Sequence, residues 1–216
     1  MLPRLPESFL EKLQEFLRQF ASTQLRRCQE QPGFPLLEFL QLLYRLTLQQ
    51  GGDRLLGCLE VWGAVLDQVK EGEQAKYKEA LLALARALLE RLQYRHHGRE
   101  LEGLDREGGG EEGRSQWQEF LATLLEMVMR VAEVVPEEVL HLAESAWREA
   151  GQAYTSLEGP VAPHLLPLLR DHCSLLQLCG RLAALYTGDN FIAKLPRGLD
   201  TVRLPTLLPV LLFKPH

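Results

Sequence analysis

Aromatic side chains are scarce in this 216-residue chain, with Phe, Trp and Tyr together supplying 7% of positions, and β-branched residues are few. Strands draw on those side chains to cover a pleated, half-buried surface, so the composition argues first against a sheet protein. Cysteine is also sparse. Cys28, Cys58, Cys173 and Cys179 include no CxxC pair, which argues against a zinc knuckle, a redox motif or a disulfide scaffold. Each sits among leucines, where a free thiol behaves as a small hydrophobe, and the pattern points to a reducing compartment, cytosol or nucleus. No apolar run is long enough for a bilayer span: residues 165–186 are interrupted by Pro167, Arg170, Asp171 and Arg181. The opening MLPRLPESFLEKLQ has no signal-peptide core, and the expected protein is soluble and intracellular. Basic charge is lacking too, with 24 Lys and Arg against 29 Asp and Glu for a net charge of −5. Nucleic-acid binding needs clustered cations to displace counterions, and here they are scattered.

What the chain has is leucine, at 47 of its positions, beside much Ala, Glu, Gln and Arg. These are strong helix formers, and the class they specify is all-α. Helices are then placed by spacing and caps. Ser8 followed by Glu11 has the capping-box form, and Phe9, Leu13, Phe16 and Phe20 recur at helical spacing, which predicts a helix over 7–30. A second, over 35–50, is apolar nearly all round, the mark of burial between neighbours. Asp53 is the expected N-cap of a third helix to residue 70, and a fourth runs over 73–97 with Gly98 as its left-handed stop. Two residues join the third and fourth, so they fold back as an antiparallel pair.

The segment 98–114 reads as a flexible acidic loop, since residues 99–114 hold six acidic and three basic residues and a triple glycine at Gly108–Gly110. Ser115 and Gln118 form a second capping box that opens a fifth helix reaching Val135. Pro136, Glu137 and Glu138 are an N-terminal signature for a sixth, ending at Gly151. A seventh runs over 164–188. Residues 204–216 form a proline-broken apolar tail that is not expected to join the fold.

Helix hairpins recurring every 40–60 residues predict a partial α-solenoid of HEAT or armadillo type over 1–203, with a closed globular bundle as the competing architecture. Trp62, Trp117 and Trp147 lie on leucine stripes, and the rings of Trp62 and Trp117 are expected to be largely buried. The first two helices carry Phe9, Phe16, Phe20, Leu37 and Leu40 with few charges, so that end of the stack is expected to present apolar surface.

No catalytic, cofactor-binding or metal-ligating residue is assigned. His96 and His97 are adjacent on a helix, where side chains point about 100° apart, and they suit a helix C-terminus as basic residues. His141 and His172 are isolated. Gly108–Gly110 lacks the GK[ST] of a phosphate loop, Glu111–Glu112 and Glu137–Glu138 lack a held, desolvated geometry, and no GxSxG elbow occurs. No enzyme is read here, and no cofactor.

Five strings carry a resemblance: EFLQLLYRLTLQQ (38–50), CLEVWGAVLD (58–67), ALLERLQYR (87–95), LEGLDREGGGEEGRSQWQEFL (101–121) and CSLLQLCGRLAALYTGDNF (173–191). Their order, and the acidic segment before a Ser-x-Trp-Gln helix start, are similar to the middle of a nuclear export receptor of the importin-β (karyopherin-β) superfamily. The resemblance runs from about Phe34 to Val202 and ends after Arg203, where the tail looks like a truncated or read-through end. It implies a HEAT superhelix that moves between nucleus and cytoplasm, binds the GTPase Ran in its GTP form, and carries cargo, here actin complexed with profilin. In that family the main Ran-contacting repeats precede the matched stretch, and no family contact residue maps onto a numbered position. From the residues alone, a helical adaptor with no transport role stays open, and so does a lipid-binding or enzymatic bundle.

Overall fold

The computed structural model describes residues 6–49, 51–106, 115–156 and 165–185. Every regular element among them is helical: α1 (Glu7–Thr23), α2 (Leu25–Gln29), α3 (Leu36–Leu48), α4 (Gly52–Leu66), a 3-10 turn (Gln74–Lys76), α5 (Lys78–Arg91), α6 (Tyr94–Arg106), α7 (Gln116–Val134), α8 (Pro136–Thr155) and α9 (Leu165–Leu185). The all-α class is as the composition requires.

Helices pack by sequence neighbourhood. α1 and α3 lie on α4 and α5, those lie on α7 and α8, and both of these lie on α9. α6 bridges the connection between α5 and α7 and rests on α7 and α9. The order is a HEAT-like stack of hairpins, each bridged mainly to the next, rather than a closed bundle. Its main core runs from Leu25, Leu40 and Trp62 through Leu84 and Leu88 to Leu124, Val128 and Leu178, with smaller clusters around Trp147 and Leu175 and around Leu10, Leu46 and Cys58.

Some ends follow the caps and others do not. Ser115 begins α7 with a complete capping box, its Oγ accepting from the Gln118 amide at 3.3 Å while Gln118 Oε1 accepts from the Ser115 amide at 3.2 Å. Pro136 opens α8 as expected. Ser8, in contrast, lies inside α1, whose N-cap is Pro6 with no side-chain cap, and Gly51 rather than Asp53 caps α4. The first predicted helix breaks at Gln24 into α1 and α2. α8 runs past Gly151 to Thr155, because a helical glycine costs only about 1 kcal/mol and does not by itself end a helix.

The largest correction concerns 73–114. The helix expected over 73–97 ends at Arg91, and a new one starts at Tyr94. Residues 98–106, expected as loop, belong to α6, with Leu101 fully buried. Tyr94 and Leu101 enter the core and Leu104 packs against it, so a helix resting on α7 and α9 forms in a segment whose composition alone reads as solvated. His96 and His97 therefore lie near the start of α6, not at a helix C-terminus, and His97 holds a non-helical φ of −119° and ψ of 19°. The rest of the acidic segment, 107–114, and the 204–216 tail lie outside the described residues.

α3 buries Leu40, Leu43, Leu46 and Thr47, yet Leu37, Leu42 and Leu48 are about half exposed. It was expected to be enclosed, but α4 and α5 cover it on one side only. Of the five residues expected to present apolar surface at this end, Phe9, Phe16 and Leu37 are exposed, whereas Leu40 is fully buried and Phe20 packs against the core beside Phe39. Trp62 is fully buried and donates its indole N–H to Thr47 Oγ1 at 2.9 Å. Trp117 is only half-buried, packed edge-on to Tyr94 at 5.0 Å and beside Phe120, because it sits in the first turn of α7.

Candidate functional site

α4 is built to receive side chains from both of its neighbours. At Gly57 an added Cβ would lie 2.5 Å from Gln14 Oε1 of α1, and at Gly63 it would lie 2.7 Å from Arg130 Nη1 of α7. The two insertions differ in their surroundings. Gln14 is buried and donates through Nε2 to the Arg54 carbonyl at 2.8 Å and to Cys58 Sγ at 3.1 Å. Burial pushes the Cys58 thiol above its ordinary value, with the Gln14 and Thr47 hydrogen bonds opposing. Arg130 reaches over Gly63 to its carbonyl at 3.1 Å and to Asp67 Oδ1 at 2.5 Å, at the protein surface.

Between α4 and α7 this arrangement leaves an open groove of about 850 Å³, lined by Gly63, Ala64, Ala122 and Thr123 together with Leu56, Leu59 and Met127. Arginine–carboxylate pairs join helices on this side, Arg130 of α7 to Asp67 of α4 and Arg181 of α9 to Glu126 of α7 at 3.4 Å, while Arg18 of α1 is held by Glu15 of its own helix at 2.7 Å and comes only within 4.0 Å of Glu60 on α4. The arginines are tucked in, 31–42% exposed, while Glu60, Asp67 and Glu126 stand 66–71% exposed. Such exposed pairs hold helices together weakly, at about 0–1 kcal/mol each.

A second polar junction lies where α6 begins. The buried Asp171 carboxylate of α9 accepts the Tyr94 amide at 2.5 Å, and its other oxygen lies 3.9 Å from Arg95 Nε. It does for α6 what an N-cap would do from within the chain, satisfying amides the helix start leaves open. Burial pushes this carboxyl above the ordinary aspartate range, opposed by the amides of Tyr94 and Arg95 and then by the Arg95 charge. Arg170 covers the Tyr94 ring at 4.7 Å. Sequence reasoning missed this junction, since Asp171 acts across 77 residues.

No group of three or more His, Cys, Asp or Glu side chains among the described residues is placed to hold a metal. His97 is pushed below its ordinary value by burial and then by Arg91. His172 sits edge-on to Trp147 and Tyr154, its Nδ1 2.8 Å from the Leu168 carbonyl, and His141 is exposed on α8 beside Glu144. No described helix is long and apolar enough to cross a membrane. The arrangement offers an extended surface of ion pairs and shallow grooves, suited to contacting another macromolecule.

No family model matches the sequence, and no solved structure matches it. Curated proteins do. The chain is 34% identical to exportin-6 of Danio rerio over 94% of its length, and 32% identical to exportin-6 of Homo sapiens over 93%. It is 27% identical to exportin-6 of Dictyostelium discoideum over 85%. In each case it spans only about one fifth, 20%, of the relative's length.

Proposed function

We propose that this chain, homologous to one stretch of exportin-6, acts as a protein-binding segment of a nuclear export receptor. The observation that carries the reading is similarity to exportin-6 over more than nine-tenths of the chain, at 32–34% identity in vertebrate relatives. The hairpin stack supports it, because such stacks present long surfaces to protein partners and bury no reaction site. The partners of this reading are Ran-GTP and the profilin–actin complex, and its locations are nucleus and cytoplasm. It is a carrier and not an enzyme, and its surface contacts proteins rather than nucleic acid or lipid.

The test is a chimera. Human exportin-6 whose matching stretch is replaced by this chain is immobilised with Ran loaded with GTP or GDP, and profilin–actin is added. Retention of profilin–actin with Ran-GTP, and its loss when the stretch is deleted, is the expected result. A chimera that takes up neither partner, while intact exportin-6 takes up both, would leave a helical scaffold with no transport role.

A further inference from the structure

α9 carries two apolar rows, and the described helices cover one of them. Leu168, Leu175, Leu178 and Leu182 are buried, on the side where α8, α6 and α7 lie. About 160° round the helix, at about 100° per residue, runs a second row: Leu166, Leu169, Cys173, Leu176, Gly180 and Ala183. Its spacing alternates three and four residues, the repeat with which a helix presents one apolar seam to a partner. None of the six is charged. Leu166 and Leu176 are 59% and 48% exposed, Cys173 is exposed, and a Cβ added at Gly180 would meet nothing within 4 Å.

The chain holds a segment of matching chemistry. Residues 204–213, LPTLLPVLLF, contain no charge, and Pro205 and Pro209 bar a helix and favour extended backbone. Extended chain of the polyproline type repeats every three residues, which puts Leu204, Leu207, Val210 and Phe213 in one line. At about 3.1 Å per residue the ten residues reach roughly 31 Å, the length of the 21-residue α9 at about 1.5 Å per residue. Residues 186–203 can span up to about 60 Å, so the tail can turn back along α9.

We propose that residues 204–213 dock as an extended segment on the outer row of α9, with Leu204, Leu207, Val210 and Phe213 against it. The shortest path from the end of α9 makes the tail antiparallel, with Leu204 near Ala183, Phe213 near Leu166 and Val210 beside Cys173. The prolines that keep the tail from forming a helix of its own suit it to this place. A second copy of the chain is the weaker occupant. One row with glycine and alanine at one end falls short of the ~800 Å² per partner that stable complexes bury. A tethered segment needs less, because its effective concentration is of millimolar order. The inference goes beyond the export reading and stands independently of it.

Cys173 reports on the row. The full chain and the chain lacking 204–216 are treated with N-ethylmaleimide under native conditions, and labelling of each cysteine is timed by mass spectrometry. Without the tail, Cys173 should react roughly tenfold faster, since a face covered nine-tenths of the time reacts at about a tenth of the rate. Cys58 is buried and should stay slow in both. Leu207→Asp with Val210→Asp in the full chain should free Cys173 as the deletion does, while Thr206→Asp, on another line of the tail, should leave it protected. Equal Cys173 rates with and without the tail would overturn the proposal. Protection that grows with protein concentration would also overturn it, giving the face to a second copy. Should the deletion unfold the chain, seen as fast labelling of Cys58, Val210→Cys in the full chain decides. Mild oxidation in dilute solution should then close a disulfide with Cys173 inside one molecule, and pairing only with other cysteines or between molecules would refute the docking.

Discussion

The two sides of α4 use one device in two solvents. Toward α1, Gly57 admits Gln14 into a buried, neutral hydrogen-bonded site beside Cys58. Toward α7, Gly63 admits Arg130 into a solvated, charged one beside Asp67. A buried polar group stripped of its partner loses its whole hydration without return, whereas an exposed one returns to water. The α1 side should therefore govern stability, and the α7 side should be free to change partners.

The comparison can be broken most severely at Trp62, which joins α4 to α3 at the centre of the buried side. Trp62→Ala should cost about 3–5 kcal/mol in urea unfolding, as large aromatic truncations do. A loss under about 1 kcal/mol would mean the buried side does not carry the fold.

Asp171 combines the two cases, a charge held at a buried seam. Asp171→Ala should cost about 1–3 kcal/mol because the first amides of α6 lose their acceptor. Asp171→Asn keeps an acceptor and should change stability little at neutral pH. The pH dependence separates them further. The folded carboxyl sits above its ordinary value, so the fold holds that proton more tightly than the unfolded chain. Its contribution is therefore largest at low pH and falls as pH rises from the ordinary aspartate range through the raised folded value. The Asn variant should lack that component. An unchanged pH profile in Asp171→Asn would contradict the assignment.

The glycines give the sharpest contrast. Alanine in a helix gains about 1 kcal/mol over glycine. At Gly57 the new methyl must expel a buried glutamine, an overpacking cost of about 1–3 kcal/mol, so Gly57→Ala should be neutral to destabilising by about 2 kcal/mol. At Gly63 the displaced group is an arginine that can swing into water, so Gly63→Ala should be neutral to slightly stabilising. Thermal melts of the two variants should differ in that order, and the reverse order would break the comparison.

The smallest effect is expected at the rim. Arg130→Ala should cost under about 1 kcal/mol, and the cost should shrink with added salt. A salt-independent loss of several kcal/mol would make the α7 side a structural seam like the other.

How far these features were legible from sequence varies with the range of the interaction. Ser115 and Gln118 lie three residues apart, and their capping box was readable because both ends of its bonds are local. The leucine stripes placed the interior, and the helix-pair rhythm placed the stack. α6 was not readable: Arg99–Arg106 is charged enough to pass for loop, and its helix depends on core packing by Tyr94, Leu101 and Leu104 and on the distant Asp171 carboxylate. The two insertions into α4 were equally hidden, because a glycine inside a helix signals only a propensity cost until the side chain lying over it is seen. The groove was absent from the sequence reading for the same reason. Its lining comes from α1, α4, α7 and α9, and its charged residues look like ordinary solvated faces on each helix taken alone.

The central claim is that this chain does the work of the matching stretch of an export receptor, and nuclear actin reports on it directly. In human cells depleted of exportin-6, the chimera carrying this chain should lower nuclear actin to the level restored by intact exportin-6, while the receptor with the stretch deleted should not. Nuclear actin that stays as high with the chimera, expressed and folded, as with the deletion would contradict the account.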